Sequence, residues 1–179
     1  MSTVNVQAPH TTATLAVDVE ALVDQLDEVV EMEQFAADTY AAHANSLPED
    51  WMRGKAEEFR AGAIRGRDAA TELMRLIGAQ PTGTKRGLAS AMARAKGLVD
   101  TGRSGRFGQL KNLQDMLVAA FLTAGEWAMV QWAAYGIGDP RFIEVAEREV
   151  ELKSLPVQWL LVTTAERTPW AITKPASVQ

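Results

Sequence analysis

The sequence contains no cysteine and only two histidines among its 179 residues. The missing thiols exclude disulfides, zinc fingers, iron–sulfur ligation and thiol catalysis. A chain without disulfides suits a reducing compartment, so we expect a cytoplasmic protein. The two histidines, His10 and His43, are also scant material for a metal centre that uses imidazole ligands.

A strong charge excess is missing as well, because the net charge is only −5. This balance gives no overall reason to expect nucleic acid or an anionic membrane as a partner. The first 14 residues are polar and lack the basic start and apolar core of a signal peptide, so residues 1–14 are predicted to be a loose arm. The run from Met116 to Ile137 has membrane-spanning length, but burying Glu126 in lipid would be costly. We therefore predict a buried central helix there.

Strict alternation of apolar and polar residues, the pattern of a strand, is absent, whereas four long helical patterns are present. The helices are predicted over about Leu15–Ser46, from the Pro48–Asp50 turn to about Ile77, over about Leu110–Tyr135, and from Pro140 to about Glu166. Pro156 should kink the fourth helix or divide it in two.

Apolar stripes at helical spacing predict which side chains face the core. In the first helix the stripe consists of Leu22, Leu26, Val29, Glu33, Ala36 and Tyr40. In the second it consists of Met52, Ala56, Phe59, Ala63, Gly66, Ala70, Leu73 and Ile77. In the fourth it consists of Phe142, Val145, Glu149, Leu152, Pro156 and Trp159.

The connection between the second and third helices, from Ala79 to Gln109, is about thirty residues long and includes a short helical stretch, LASAMARAKGLV. Such a length is what a crossover needs to carry the chain from one end of a bundle to the other. Two antiparallel hairpins joined by a crossover predict an all-α, ferritin-like four-helix bundle over residues 15–167. Residues 168–179, which include Pro169 and Pro175, are predicted to be an irregular tail.

The segment DAATELMRLIGAQPTGTKRGLASAMARAKGLV and the later AAYG resemble the bacterial stress-protein branch of the ferritin-like superfamily, the YciF type. The resemblance implies a four-helix bundle, dimeric and often metal-binding. In a ferritin-like di-iron site, each hairpin supplies one Glu and a Glu-x-x-His pair. Glu33, seven residues before Tyr40, matches the Glu-x6-Tyr spacing of rubrerythrins and bacterioferritins.

The other ligands that this resemblance implies are missing. On the second helix the Glu-x-x-His positions fall on Ala63 and Gly66, or on Gly66 and Ala69. On the fourth, Glu149 is followed by Leu152 where His belongs, and the neighbouring alternative, Glu151 with Ser154, puts a poor ligand there. On the third, the matching residue is Glu126, Ala128 or Gln131. No Glu-x-x-His motif occurs, so we expect no working di-iron centre; Fe or Mn would have only Glu33, Glu126 and Glu149.

Ion pairs offer another interpretation of these inward carboxylates, because a buried charge needs a partner. For Glu33 the expected partner is Arg67 or Arg65, and for Glu126 it is Lys153 or Arg148. Whether Glu126 faces the bundle centre is left open, since the third helix has no polar face that would orient it.

Two surfaces suggest partners. The crossover from Lys85 to Lys111 carries seven basic residues and one acidic residue, a net charge of +6. Because Phe107 is the one aromatic near enough to stack on bases, this pattern favours a solvated face, or one docked on the acidic outer faces of the first and fourth helices, over nucleic-acid binding. The third helix is apolar all round, which predicts a homodimer through that helix.

We therefore expect a non-enzymatic structural or stress-related protein without a cofactor. One alternative is an Fe- or Mn-binding oxidoreductase or store with an incomplete carboxylate site. The other is a small-molecule binding module that uses the bundle centre, where small side chains leave room: Ala63, Gly66, Ala69 and Ala70.

Overall fold

The computed structural model describes residues 18–83, 85 and 102–173. Within these ranges the chain has four helices and no strand: α1 (Val19–Ala44), α2 (Asp50–Leu76), α3 (Gly105–Ile137) and α4 (Pro140–Ile172). The prediction of an all-α four-helix bundle is confirmed at this level. Residues 1–14 and the short helix expected in the crossover lie outside the described residues.

Local signals explain where the helices begin and end. The Asp18 carboxylate accepts a hydrogen bond from the amide of Ala21 and starts α1. Gly138, with φ of 74°, takes the left-handed conformation that ends α3. Asp139 then caps α4, and Pro140 occupies its first turn.

Helix α4 is longer and more continuous than predicted. It contains Pro156 and Pro169 and runs to Ile172, five residues past the expected boundary at 167. Pro156 therefore does not divide the helix in two. Helix α3 begins at Gly105, before the predicted start at Leu110.

The packing of the helices requires a crossover. α1 packs along α2 and α3, and α4 packs along α3 and more weakly along α2. Among the described residues α2 and α3 do not come into close contact, so they lie diagonally opposite. One apolar cluster joins the first halves of α2 and α3, including Phe59 and Met116, to the end of α1. Hence α2 and α3 run in the same direction, and the chain between them must connect opposite ends of the bundle.

A second apolar cluster fills the other end of the bundle and contains Leu26, Leu73, Trp127 and Phe142. The predicted stripe of α1 is buried throughout, and so is that of α2 up to Leu73. The prediction for α4 was wrong in part: Leu152 is 40% exposed, and the buried side chains there are Phe142, Ala146, Glu149, Lys153, Leu160, Thr163 and Thr164.

In the described part of the chain, α3 is the helix long and apolar enough to cross a membrane by length and composition, a test that core helices of soluble proteins also pass. Its inner face, including Leu113, Met116 and Trp127, is buried in the bundle. Its outer face is more exposed than the predicted buried helix would be, and 33% of its most apolar stretch is buried.

Candidate functional site: a lysine–glutamate network in the bundle centre

Polar side chains lie between the two apolar clusters, and Glu33 is at their middle. Glu33 is fully buried, and its Oε1 accepts a hydrogen bond of 2.7 Å from the indole Nε1 of Trp127. The same oxygen lies 2.6 Å from Nζ of Lys153. Oε2 has no hydrogen-bond partner among the described residues. Leaving a buried acceptor unsatisfied typically costs about 1–3 kcal/mol.

Lys153 brings a positive charge into the core and is only 5% exposed. Besides its contact with Glu33, its ammonium donates a 3.0 Å hydrogen bond to the carbonyl of Gly62 and lies 3.8 Å from Glu149. An ammonium has three N–H donors, and these contacts place an acceptor on several sides of it. Breaking such a buried pair by removing one partner costs about 3–5 kcal/mol.

Gly66 provides the space for this salt bridge. A Cβ added at this position would clash with Oε1 of Glu33 and with Nζ of Lys153. The glycine on α2 is therefore required by close approach, although glycine disfavours a helix interior by about 1 kcal/mol relative to alanine. A larger side chain would displace the salt bridge.

Burial controls the protonation of Glu33. Desolvation raises the pKa of Glu33 from 4.5 to about 7, while Lys153 and Trp127 oppose the rise. Burial also raises the pKa of Tyr40, and the neighbouring Glu33 charge adds to that rise. The centre of the bundle therefore holds a carboxyl group that exchanges its proton near neutral pH.

Glu149 is buried beside the salt bridge, as the sequence predicted, and Nε of Arg148 lies 3.5 Å from its Oε1. Counting formal charges, Lys153 balances Glu33 and Arg148 balances Glu149. The network is thus neutral when both carboxyl groups are ionised.

The partners that the sequence predicted for these carboxylates were wrong. Arg67 donates to Gln34 at 2.8 Å and pairs with Asp68, and Arg65 is exposed. Glu126 accepts a 2.6 Å hydrogen bond from Gln25. Burial raises the pKa of Glu126, although the Gln25 hydrogen bond opposes this.

The expected carboxylate ligands do not converge. Glu33 and Glu149 share Lys153, whereas Glu126 lies apart from them against α1. In the described ranges, no group of three or more histidine or acidic side chains is placed to hold a metal ion. Gly66 offers no ligating side chain on α2, and the Lys153 ammonium occupies the space beside it at 2.6 Å from Glu33.

Two residues of the network, Trp127 and Lys153, were not predicted from the sequence to contact Glu33. Trp127 follows Glu126, and it is the tryptophan that turns inward on α3. Lys153 was expected to pair with Glu126. One signal could have shown that Lys153 faces the core: it continues the stripe Phe142–Ala146–Glu149, with steps of four, three and four residues.

A cavity of about 90 Å³ adjoins the network, and most of its lining residues belong to α2 and α4. Its lining includes Glu33 and Lys153 together with Tyr40, Phe59, Leu155 and Pro156. Ala63 also lines it, whereas Ala70 is packed in the core. The room expected around Gly66 is filled by the salt bridge itself.

A second polar cluster anchors the end of the crossover. Asp115, buried on α3, accepts a 2.8 Å hydrogen bond from Arg103 and lies 3.5 Å from Nε2 of the buried His43. At the other end of the crossover, Lys85 pairs with Asp24 and Glu28 of α1. Lys85 thus docks on the acidic face of α1, as one interpretation of the sequence predicted, whereas the pairing of Arg103 with Asp115 of α3 was not predicted. Residues 86–101 lie outside the described ranges.

No protein-family model, curated protein or solved structure matches this chain.

Proposed function

We propose that this protein is a ferritin-like bundle in which the ammonium of Lys153 takes the place of a metal cation. The 2.6 Å contact between Lys153 and Glu33, made in space that Gly66 leaves open, carries this proposal. The diagonal arrangement of α2 and α3, with a crossover between opposite ends, supports the ferritin-like assignment. The role that fits such a centre is non-enzymatic, either structural or stress-related.

The test is metal content, measured by inductively coupled plasma mass spectrometry on protein purified without chelator or affinity metal. We expect less than about a tenth of a metal ion per chain, since the carboxylates lack the additional ligands that Fe or Mn requires. One or two ions per chain, lost on Glu33→Ala, would overturn the proposal and favour the Fe/Mn store or oxidoreductase. As a second readout, EDTA should leave the thermal midpoint unchanged.

We also propose that α3 packs against α3 of a second copy of the chain. Phe121, Trp132 and Tyr135 are exposed on its outer side, and Trp132 is 73% exposed. The two charged residues of α3 after Lys111 point elsewhere: Asp115 is buried and Glu126 contacts α1. An uncharged aromatic stripe of this kind is typical of an interface.

A further inference from the structure

The cavity beside the salt bridge combines an apolar wall with a hydrogen-bond acceptor that has no donor. Phe59, Leu155 and Pro156 supply apolar surface, and Glu33 lines the same space. Oε1 of Glu33 is occupied by Trp127 and Lys153, which leaves Oε2, buried and without a partner in the described part of the chain. Buried carboxylate oxygens are normally satisfied by a donor.

The helix wall supplies no backbone donor at Pro156. Pro156 has no N–H to donate to the carbonyl of Leu152 four residues earlier, and both residues line the cavity. A ligand that carries a hydrogen-bond donor complements this lining, because the Lys153 ammonium already donates to Glu33 and to the Gly62 carbonyl. A ligand that presents a donor therefore fits better than one that presents an acceptor.

The charges that line the cavity and its volume narrow the class of ligand further. The cavity lining carries two acidic side chains, Glu33 and Glu58, and two basic ones, Arg65 and Lys153, so its formal charges balance. A charged ligand would leave one charge uncompensated, so a neutral ligand is favoured. A space of about 90 Å³ is smaller than the roughly 150 Å³ that accommodates benzene, and suits about five non-hydrogen atoms.

We propose that this cavity binds a short aliphatic alcohol, with its hydroxyl donating to Oε2 of Glu33 and its chain against Phe59 and Leu155. Alcohol binding can fail while the protein stays free of metal, so this proposal and the proposed function fail separately. The indole N–H of Trp127 reports on the site directly, because it shares the Glu33 carboxylate.

The experiment is a titration of the full-length protein with n-butanol at a pH well above 7, where Glu33 is ionised. It follows the Trp127 indole signal in ¹H–¹⁵N spectra assigned with Trp127→Phe. Methyl propyl ether, an isomer without a donor, and n-butylammonium, a charged analogue, are the matched probes. We expect saturable n-butanol binding with a Kd on the order of millimolar, and at least about tenfold weaker binding of both other probes.

Two variants test whether n-butanol binds in this cavity. Glu33→Gln removes the charged acceptor and should weaken n-butanol binding about tenfold. Ala63→Val fills the cavity without touching the carboxylate and should abolish binding, which keeps the test decisive if Glu33→Gln does not fold. Equal binding of alcohol and ether, tighter binding of the ammonium, or no saturable shift up to roughly 100 mM n-butanol would each overturn the proposal.

Discussion

Lys153 on α4 lies 2.6 Å from Glu33 on α1, across the bundle diagonal, and the two charges meet in the space above Gly66 of α2. Three helices therefore contribute to one buried ion pair. Buried pairs of this kind add little net stability relative to apolar packing, but they are costly to break on one side. Replacing one partner at a time should therefore cause a measurable loss of stability.

Removing the ammonium alone should be strongly destabilising. In Lys153→Met, Glu33 and Glu149 lose their shared cation, and the free energy of unfolding should fall by about 3 kcal/mol in guanidinium titrations. The double variant Lys153→Met/Glu33→Gln should recover part of that loss, since one buried carboxylate is neutralised. Lys55→Met, which breaks the exposed pair with Glu58, is the control and should cost less than about 1 kcal/mol. A Lys153→Met loss no larger than this control would contradict the burial argument.

Glycine substitutions within α2 should have opposite signs. Gly66→Ala places a Cβ against the salt bridge and should destabilise the fold by about 1–3 kcal/mol. Gly54→Ala, on the same helix but with open space around its Cβ, should stabilise it by up to about 1 kcal/mol. Thermal and denaturant unfolding of both variants measure the contrast, and equal gains would show that position 66 tolerates a side chain.

Protonation of Glu33 should link stability to pH. Because burial raises the folded-state pKa from 4.5 to about 7, the folded protein binds this proton more tightly than the unfolded chain. The contribution of Glu33 to the free energy of unfolding therefore falls as pH rises from about 4.5 to about 7. Relative to Glu33→Gln, the wild type should lose up to about 3 kcal/mol across that window.

A spectroscopic titration locates the same event. The indole N–H of Trp127 should shift with a midpoint near pH 7, whereas that of Trp132, on the outer face, should not follow it. Parallel stability curves for wild type and Glu33→Gln, together with a flat Trp127 signal, would argue against the raised pKa.

The outer face of α3 should control self-association. Light scattering coupled to size exclusion should give twice the chain mass of 19.5 kDa for the wild type and a monomer for Trp132→Glu. Leu161→Glu, at a 52% exposed position on α4, is the matched control and should remain dimeric. A monomeric wild type at micromolar concentration would rule out this interface.

Much of the fold could be predicted because its signals are local. The stripe from Leu22 to Tyr40 and the stripe from Met52 to Leu73 follow the helical period, and both are buried. Glycine and proline at Gly138 and Pro140 mark the boundary between α3 and α4. The fourth helix was harder, because a step of three to Leu152 and a step of four to Lys153 both fit the helical period after Glu149. Pro156 also suggested a break, but the helix is continuous there.

The candidate site could be predicted only in part. Glu33 and Glu149 were correctly placed inward, and an internal carboxylate–cation pair was one of the expected arrangements. Lys153 was assigned to Glu126, and arginines of α2 were assigned to Glu33. Periodicity shows which residues of a helix face the core, but not which residue of a distant helix each of them contacts. Neither assignment could therefore be decided from spacing.

By itself, the sequence determined the helical class, the two hairpins and the absence of a histidine-rich ligand set, since composition and local periodicity carry that information. Only the tertiary structure decided which cation meets Glu33, that Trp127 rather than Glu126 turns inward, and that Gly66 leaves room for an ammonium. The reason is physical: the partner of a buried charge is set by where four helices bring their side chains together, and close packing at that point admits a single arrangement.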